Sequence, residues 1–102
     1  MKIDYRTSGE GLIIFISGEL DHHAAGGAIS RVSAIIDQSL PGALILDLSG
    51  VGFMDSSGIA VIMSAHRKMG MIRGGVQVRG VLPQPMRVLN CAGIGRMVRI
   101  TA

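Results

Sequence analysis

Two hydroxyl groups follow a carboxylate in the middle of the chain, in the tetrapeptide Asp55-Ser56-Ser57-Gly58. Asp and Ser are good helix N-caps because their side-chain oxygens accept hydrogen bonds from unpaired N–H groups of the first turn. A serine in that turn can also carry a phosphate, and the helix dipole favours its charge of about −1.5 to −2. Asp55, two residues before Ser57, disfavours a phosphate there because both groups are negatively charged. The tetrapeptide therefore predicts a helix start whose serines either cap the helix or accept a phosphoryl group.

Catalysis and metal binding have weaker support in the sequence. The serines lack the Gly-x-Ser-x-Gly pattern of a nucleophile elbow, and no feature places His22, His23 or His66 near Ser57. Neighbouring histidines on a helix point about 100° apart, and no second group of ligands accompanies Asp21, His22 and His23. We therefore predict that the protein is not an enzyme, has no metal site and needs no cofactor.

The composition indicates a globular protein with an aliphatic core. Hydrophobic residues make up 48% of the 102 residues, but only three of them are aromatic. Cys91 is the single cysteine, which excludes an intrachain disulfide and a cysteine-based zinc site, and we expect it to be a small buried residue. The N-terminus is charged from Lys2 onward and no apolar run reaches the ~20 residues of a membrane span. We predict a cytoplasmic protein without membrane contact.

Charge is unevenly distributed along the chain. The first 55 residues hold three bases and seven acids, a net charge of −4, whereas the remainder holds seven bases and no acid, a net charge of +7. Such asymmetry can guide association with a partner. No more than two Lys or Arg residues are consecutive, and few aromatic side chains are available to stack on bases. We therefore predict a solvated basic surface and no direct nucleic-acid partner.

Hydrophobic periodicity places these residues within a series of strands and helices. Ser8-Gly9-Glu10-Gly11 is typical of a turn, and Asp21 is a candidate N-cap for the first helix, whose apolar stripe comprises Ile29, Val32, Ile35, Ile36 and Leu40. Gly26 and Gly27 predict weak or closely packed first turns. Pro85 is the expected first residue of the third helix. The predicted strands cover residues 3–7, 12–16, 43–48, 75–79 and 97–100, and the predicted helices cover about 22–39, 57–70 and 85–92.

This order predicts an α/β fold in a single domain, residues 1–102. The first two strands form a hairpin, and right-handed crossovers place the following strands in parallel. The sheet is therefore mixed, with four to five strands and three to four helices. The tetrapeptide at Asp55 follows a buried strand and begins a helix, and this is where α/β folds usually place their functional sites.

The residues from Leu46 to Ile59 closely resemble the signature of the STAS domain, and in particular of the stand-alone bacterial anti-sigma factor antagonists. Residues 18–24, Gly-Glu-Leu-Asp-His-His-Ala, resemble the second patch of this family at the end of its second strand. Residues 88–94, Val-Leu-Asn-Cys-Ala-Gly-Ile, resemble its C-terminal helix and the turn that follows. Together these segments span nearly the whole chain in order.

The resemblance implies a mechanism. Members of the family bind an anti-sigma factor that is a serine kinase, and thereby release the sigma factor that it holds. The kinase phosphorylates the second serine of the motif, which is Ser57 here, and a serine phosphatase resets the protein. The resemblance places the kinase-facing surface at two segments, which gives as partner-binding residues Asp21, His22, His23, Asp55, Ser56, Ser57, Gly58, Ile59 and Ile62.

Some features depart from the family pattern. Gly26 and Gly27 lie in a stretch without acidic residues, where members of the family often carry acidic residues. The basic second half of the chain is also atypical. The Met-rich, aliphatic composition keeps a second function open, that of a scaffold or ligand-sensing STAS module that is not phosphorylated.

Overall fold

A five-stranded sheet in the order β1-β2-β3-β4-β5 forms the frame of the molecule. The computed structural model describes residues 1–9 and 11–102. The strands are β1 (Lys2–Ser8), β2 (Gly11–Leu20), β3 (Ala43–Met54), β4 (Gly75–Arg79) and β5 (Arg99–Ile100). The helices are α1 (His22–Ser39), α2 (Ser56–Met71) and α3 (Pro83–Cys91), with a 3₁₀ turn at Ile94–Arg96.

The sheet is mixed, as predicted. Strand β1 lies antiparallel to β2, which confirms the hairpin. The pairs β2–β3, β3–β4 and β4–β5 are parallel, and helices join their strands. The turn predicted at residues 8–11 includes Glu10, which lies outside the described residues. None of the described helices is long and apolar enough to cross a membrane.

The second and third strands are longer than predicted, and glycines explain the error. Strand β2 continues to Leu20 and β3 continues to Met54. Gly18 has a φ of 104°, and the register between the two strands shifts beside it. A Cβ on Gly50 would lie 2.5 Å from the Ser17 Cβ, so the two backbones can approach only because Gly50 has no side chain. These glycines mark irregular pairing within the strands, where the sequence indicated their ends.

The first helix begins as predicted, with Asp21 as its N-cap, but its apolar stripe is only partly correct. The centre of the stripe, Val32 to Ile36, packs into the core, whereas Leu40 is 66% exposed and caps the helix with a positive φ of 43°. Gly26 and Gly27 are exposed, and a Cβ at either would meet nothing within 4 Å. Of the two predicted alternatives, weak or closely packed first turns, the structure excludes close packing at these glycines.

The second and third helices both begin earlier than predicted. Asp55 is the N-cap of α2, so the serines occupy its first turn and do not cap it. Pro83, and not Pro85, is the first residue of α3. A proline at either position lacks an N–H that the first turn would leave unpaired. Two such positions in one turn leave the sequence ambiguous about where the helix begins.

The core is aliphatic, as the composition predicts. Helices α1 and α2 pack against each other, and α3 packs against β3. The largest fully buried side chains are Leu12, Ile14, Ile16, Leu20, Ile35, Ile36, Leu44, Leu46, Leu48, Met54, Ile62 and Met69.

Candidate functional site

One carboxylate, that of Asp55, caps two helices. Its Oδ1 accepts a hydrogen bond of 2.8 Å from the N–H of Ser57, in the first turn of α2. Its Oδ2 accepts a hydrogen bond of 3.0 Å from the N–H of His22, the first residue of α1. The Asp55 N–H donates to the carbonyl of Leu20, at the end of β2. The ends of two parallel strands and the starts of two helices thus converge, and we call residues 21–22 and 55–57 the Asp55 corner.

The hydrogen bonds at this corner favour the ionised carboxylate. Burial acts to raise the pKa of Asp55, but hydrogen bonds from the N–H groups of Ser57 and His22 and from the Ser57 hydroxyl outweigh it, so the pKa lies below its usual value. A charged Asp55 therefore persists at neutral pH. It holds the two positive helix ends side by side, a pairing that would otherwise repel.

Gly58 is required by packing. It is buried in the first turn of α2, and a Cβ there would lie 2.5 Å from Met54 Cγ and 3.2 Å from the Leu20 carbonyl oxygen. Only glycine lets this turn sit so close to the ends of β2 and β3. Gly58 therefore positions the corner and offers no side chain to a partner.

The remaining predicted partner-binding residues divide into exposed and buried groups. Asp21 caps α1 by accepting a hydrogen bond of 3.0 Å from the Ala24 N–H. His22, His23 and Ser56 are exposed, and Ser57 and Ile59 are half-buried. Ile62 is different, because it is fully buried in the core and cannot contact a partner. Its prediction as a surface residue is wrong, since the helix turns it toward the other elements six residues after the exposed Ser56.

Gln84 holds the backbone next to the corner, and no local sequence pattern indicated it. Its side-chain oxygen accepts a hydrogen bond of 2.8 Å from the Met54 N–H, and its amide nitrogen donates one of 2.8 Å to the Met54 carbonyl. Both polar groups of the residue before Asp55 are thus satisfied by one side chain from the first turn of α3. The two residues are 30 positions apart, so only the tertiary structure reveals the contact.

A second carboxylate, Asp47, lies earlier in β3 and is 9% exposed. Its Oδ1 accepts hydrogen bonds from the Ser49 N–H at 2.9 Å and the Ser49 hydroxyl at 2.6 Å. Its Oδ2 accepts one of 2.9 Å from Nε of Arg79, the residue paired with it on β4. Burial acts to raise the pKa of Asp47, but these hydrogen bonds and the Arg79 charge lower it overall.

Comparison with known proteins gives this geometry a family. A family model described as "STAS domain" matches residues 2–102. The chain belongs to the STAS domain family. An "Anti-sigma F factor antagonist" from Lysinibacillus sphaericus is 33% identical over 86 residues, which cover 84% of this chain and 74% of that relative. The family predicted from residues 18–24, 46–59 and 88–94 is therefore confirmed.

Solved structures agree with the STAS fold. An anti-sigma factor antagonist from Mycobacterium paratuberculosis has 27% identity and a TM-score of 0.83, and the match covers 98% of this chain and 84% of that one. The unphosphorylated anti-sigma factor antagonist SpoIIAA has 24% identity and a TM-score of 0.81, with 99% of this chain and 89% of that one covered. Bacillus SpoIIAA has also been solved in its phosphorylated form.

An apolar groove borders the corner of this STAS domain. It has a volume of about 490 Å³ and lies between the first turn of α2, at Ser56 and Ile59, and the length of α3, which contributes Arg87, Val88 and Cys91. We call it the α2–α3 groove. Cys91 was expected to be buried but is exposed, because the apolar residues of α3 that reach the core are Pro85 and Leu89, on another side of the helix.

The two histidines of α1 stand apart from any metal-binding group. Their ring centroids are 5.9 Å apart and the ring planes meet at 64°. Across residues 1–9 and 11–102, no three His, Cys, Asp or Glu residues are placed to hold a metal ion. What the corner presents is polar surface, with the half-buried Ser57 hydroxyl bonded to the capping carboxylate of Asp55.

Proposed function

We propose that this protein is an anti-sigma factor antagonist, not an enzyme, whose residues 1–102 act as one domain in the cytoplasm. In this proposal the Asp55 corner binds an anti-sigma factor that is a serine kinase, and the sigma factor is released. Two kinds of observation support it. The relatives described above carry the name anti-sigma factor antagonist, and the corner presents a serine hydroxyl at the start of a helix that a single carboxylate holds in place.

Phosphorylation of Ser57 would switch the protein off. The Ser57 Oγ bonds to the γ-phosphorus of ATP while the bond to ADP breaks, and a base on the kinase takes the hydroxyl proton. The product carries a charge of about −1.5 to −2 beside the carboxylate of Asp55, and the family resemblance implies that Asp21 lies near it as well. The adjoining helix N-termini accommodate this charge, so the fold persists while the surface becomes strongly negative. A partner fitted to the uncharged hydroxyl is then repelled, and a serine phosphatase reverses the change.

Among the two serines, Ser57 suits this role because it combines access with fixed geometry. Its backbone N–H is bound to Asp55 at 2.8 Å, and its half-buried side chain is bonded to the same carboxylate. Ser56 is exposed and points into the α2–α3 groove. A phosphate on Ser56 would therefore border the groove and alter the corner less.

The test separates the two serines. The protein is incubated with ATP and its kinase, and phosphate is located by mass spectrometry. Ser57→Asp should weaken kinase binding by roughly 100-fold, because like charges placed together across an interface cost several kcal/mol. Its free energy of unfolding should change by no more than about 0.5 kcal/mol, as for other surface changes. Ser56→Asp is the matched control and should bind more tightly than Ser57→Asp.

Two results would contradict the proposal. One is phosphate on Ser56 or on no residue when the kinase is active on another substrate. The other is that Ser57→Asp unfolds the protein, which would make the hydroxyl a structural group. Ser57→Ala should still bind the kinase but take up no phosphate.

A further inference from the structure

The α2–α3 groove is continuous with the Asp55 corner through Ser56, which belongs to both. Its walls are mainly apolar, with Ile59 from α2, Val88 from α3 and Ala92 directly after α3. Gln84 also borders it, but the amide of that residue is already bonded to both polar groups of Met54. The groove therefore offers apolar contact along most of its length and few polar groups of its own.

The shape of the groove favours a protein segment over a small molecule. Pockets for small ligands usually bury about 70–90% of the ligand surface. This groove is formed by only two helices and is open to solvent, so much of the surface of a free apolar ligand would remain exposed to water. When a bound protein inserts an apolar side chain into the groove, in contrast, the rest of that protein shields the side chain from solvent.

The charge around the groove defines the segment further. Arg87 is exposed on α3 at its edge, and within the described residues it forms no ion pair. The sequence has no acid after Asp55, so neither α2 nor α3 supplies a carboxylate. An arginine binds a carboxylate with two parallel hydrogen bonds. The complementary partner thus carries an acidic residue beside an apolar one.

We propose that the α2–α3 groove is a second half of the partner interface, and that it receives an apolar side chain of the anti-sigma factor while Arg87 binds a neighbouring carboxylate. This inference rests on the proposed function and extends its surface from the Asp55 corner onto α3. The corner then responds to phosphorylation, while the apolar and ionic contacts of the groove select among partners by their sequence.

Cys91 provides a direct test in the unaltered protein. It is the only cysteine, it is exposed, and it lines the groove. The rate at which a maleimide reagent labels it is measured alone and with the kinase present, using a kinase whose own cysteines have been replaced. With the kinase at ten times its Kd, labelling should slow about tenfold, because only the free fraction reacts.

Substitutions separate the charge from the apolar contact. Arg87→Glu should weaken kinase binding by roughly 10- to 100-fold, as truncation of buried interface charges does, and Arg87→Lys should weaken it less. The matched control is Arg67→Glu, which makes the same change in net charge at an exposed position on α2 away from the groove. Ala92→Trp should fill the groove and weaken binding without altering charge, and its melting temperature shows whether it is folded.

The outcomes distinguish this inference from the function on which it rests. If Ser57→Asp abolishes binding while Arg87→Glu and Ala92→Trp bind as the wild type does, and the kinase leaves Cys91 labelling unchanged, the groove proposal is overturned and the proposed function stands. If the wild type does not bind the kinase, both fail. If Cys91 labelling slows when only the concentration of this protein is raised, the groove binds a second copy and the proposal is overturned. If a fatty acid slows labelling without weakening kinase binding, the groove binds an apolar ligand and the proposal is likewise overturned.

Discussion

Asp47 and Asp55 lie eight residues apart on one strand and its end, and they use the same chemistry for different purposes. Asp47 is enclosed and binds groups of β3 and β4, including the Arg79 guanidinium at 2.9 Å. Asp55 stays accessible and binds groups at the starts of two helices, the N–H groups of His22 and Ser57 and the Ser57 hydroxyl. Hydrogen bonds lower the pKa of both carboxylates. The comparison shows that a low pKa identifies a well-bonded carboxylate, whereas accessibility decides whether it can take part in recognition.

The difference lies in what each carboxylate fixes. Asp47 and Arg79 are direct neighbours in the β3–β4 register, so their ion pair favours one alignment of two core strands. Asp55 fixes the starts of α1 and α2 relative to each other, at the surface that we propose for the kinase. Loss of the first should therefore reduce stability, and loss of the second should mainly affect binding.

Asp47→Ala should cause the largest loss of stability. It leaves the Ser49 hydroxyl and N–H without their acceptor and removes the ion pair of Arg79. We expect the free energy of unfolding to fall by about 2 kcal/mol, below the 3–5 kcal/mol of a fully buried pair, because the Arg79 side chain is 36% exposed and water can replace part of the contact. Urea unfolding measures the change.

The exposed pair of Asp37 and Lys68, which joins α1 to α2, is the control for this prediction. Asp37→Ala should cost no more than about 0.5 kcal/mol, as is usual for surface ion pairs. Equal losses for Asp47→Ala and Asp37→Ala would contradict the structural role of Asp47. Kinase binding should be the same for both folded variants.

Gln84→Ala should have an intermediate effect, because Gln84 links the two regions through the Met54 backbone. Removing it leaves the Met54 N–H and carbonyl without partners, and we expect a loss of about 1–2 kcal/mol. Gln84→Glu keeps an acceptor for the Met54 N–H but loses the donor to the Met54 carbonyl, so it retains only one of the two hydrogen bonds. Gln38→Ala, at an exposed position on α1, is the control. Faster amide exchange at Met54 in Gln84→Ala alone would locate the effect, and unchanged exchange would refute it.

The sequence predicted the elements better than the contacts between them. Apolar periodicity found β4 at its observed bounds and the N-cap of α1 at Asp21, since both depend on neighbouring residues. It ended β3 too early because Gly50 and Gly52 look like turn residues, although Gly50 makes room for the Ser17 backbone. The position of a glycine in space, and not its identity, decides between these interpretations.

The candidate site was predicted only in part for the same reason. The motif and the family resemblance identified Asp55 and Ser57, but they could not show that the Asp55 carboxylate also binds the His22 N–H, 33 residues away. The same resemblance included Ile62 among the partner-binding residues, although this residue faces the core. The contribution of α3, through Gln84 and the exposed Cys91, depends on packing that no local pattern encodes.

Asp55→Asn should have a smaller effect on stability than Asp47→Ala and a clear effect on binding. The amide oxygen can still accept a hydrogen bond from one of the two N–H groups, but the amide nitrogen cannot accept the other, so one helix start loses its cap. The surface pairing of α1 and α2 then loosens while the core stays intact. We expect a small fall in melting temperature and weaker kinase binding than for the wild type.

Acid unfolding compares the two carboxylates in one experiment. Because the folded pKa of each lies below its usual value of 3.8, each stabilises the protein fully above that value, and the stabilisation is lost as the pH falls through the lower folded pKa. Replacing either Asp by Asn removes its share of this loss, so stability should depend less on pH below about 4. Asp47→Asn should flatten the acid limb more than Asp55→Asn, because the enclosed carboxylate is less screened by water. A larger effect of Asp55→Asn than of Asp47→Asn would contradict this comparison. It would mean that Asp55 contributes more to folding stability than the enclosed Asp47 does.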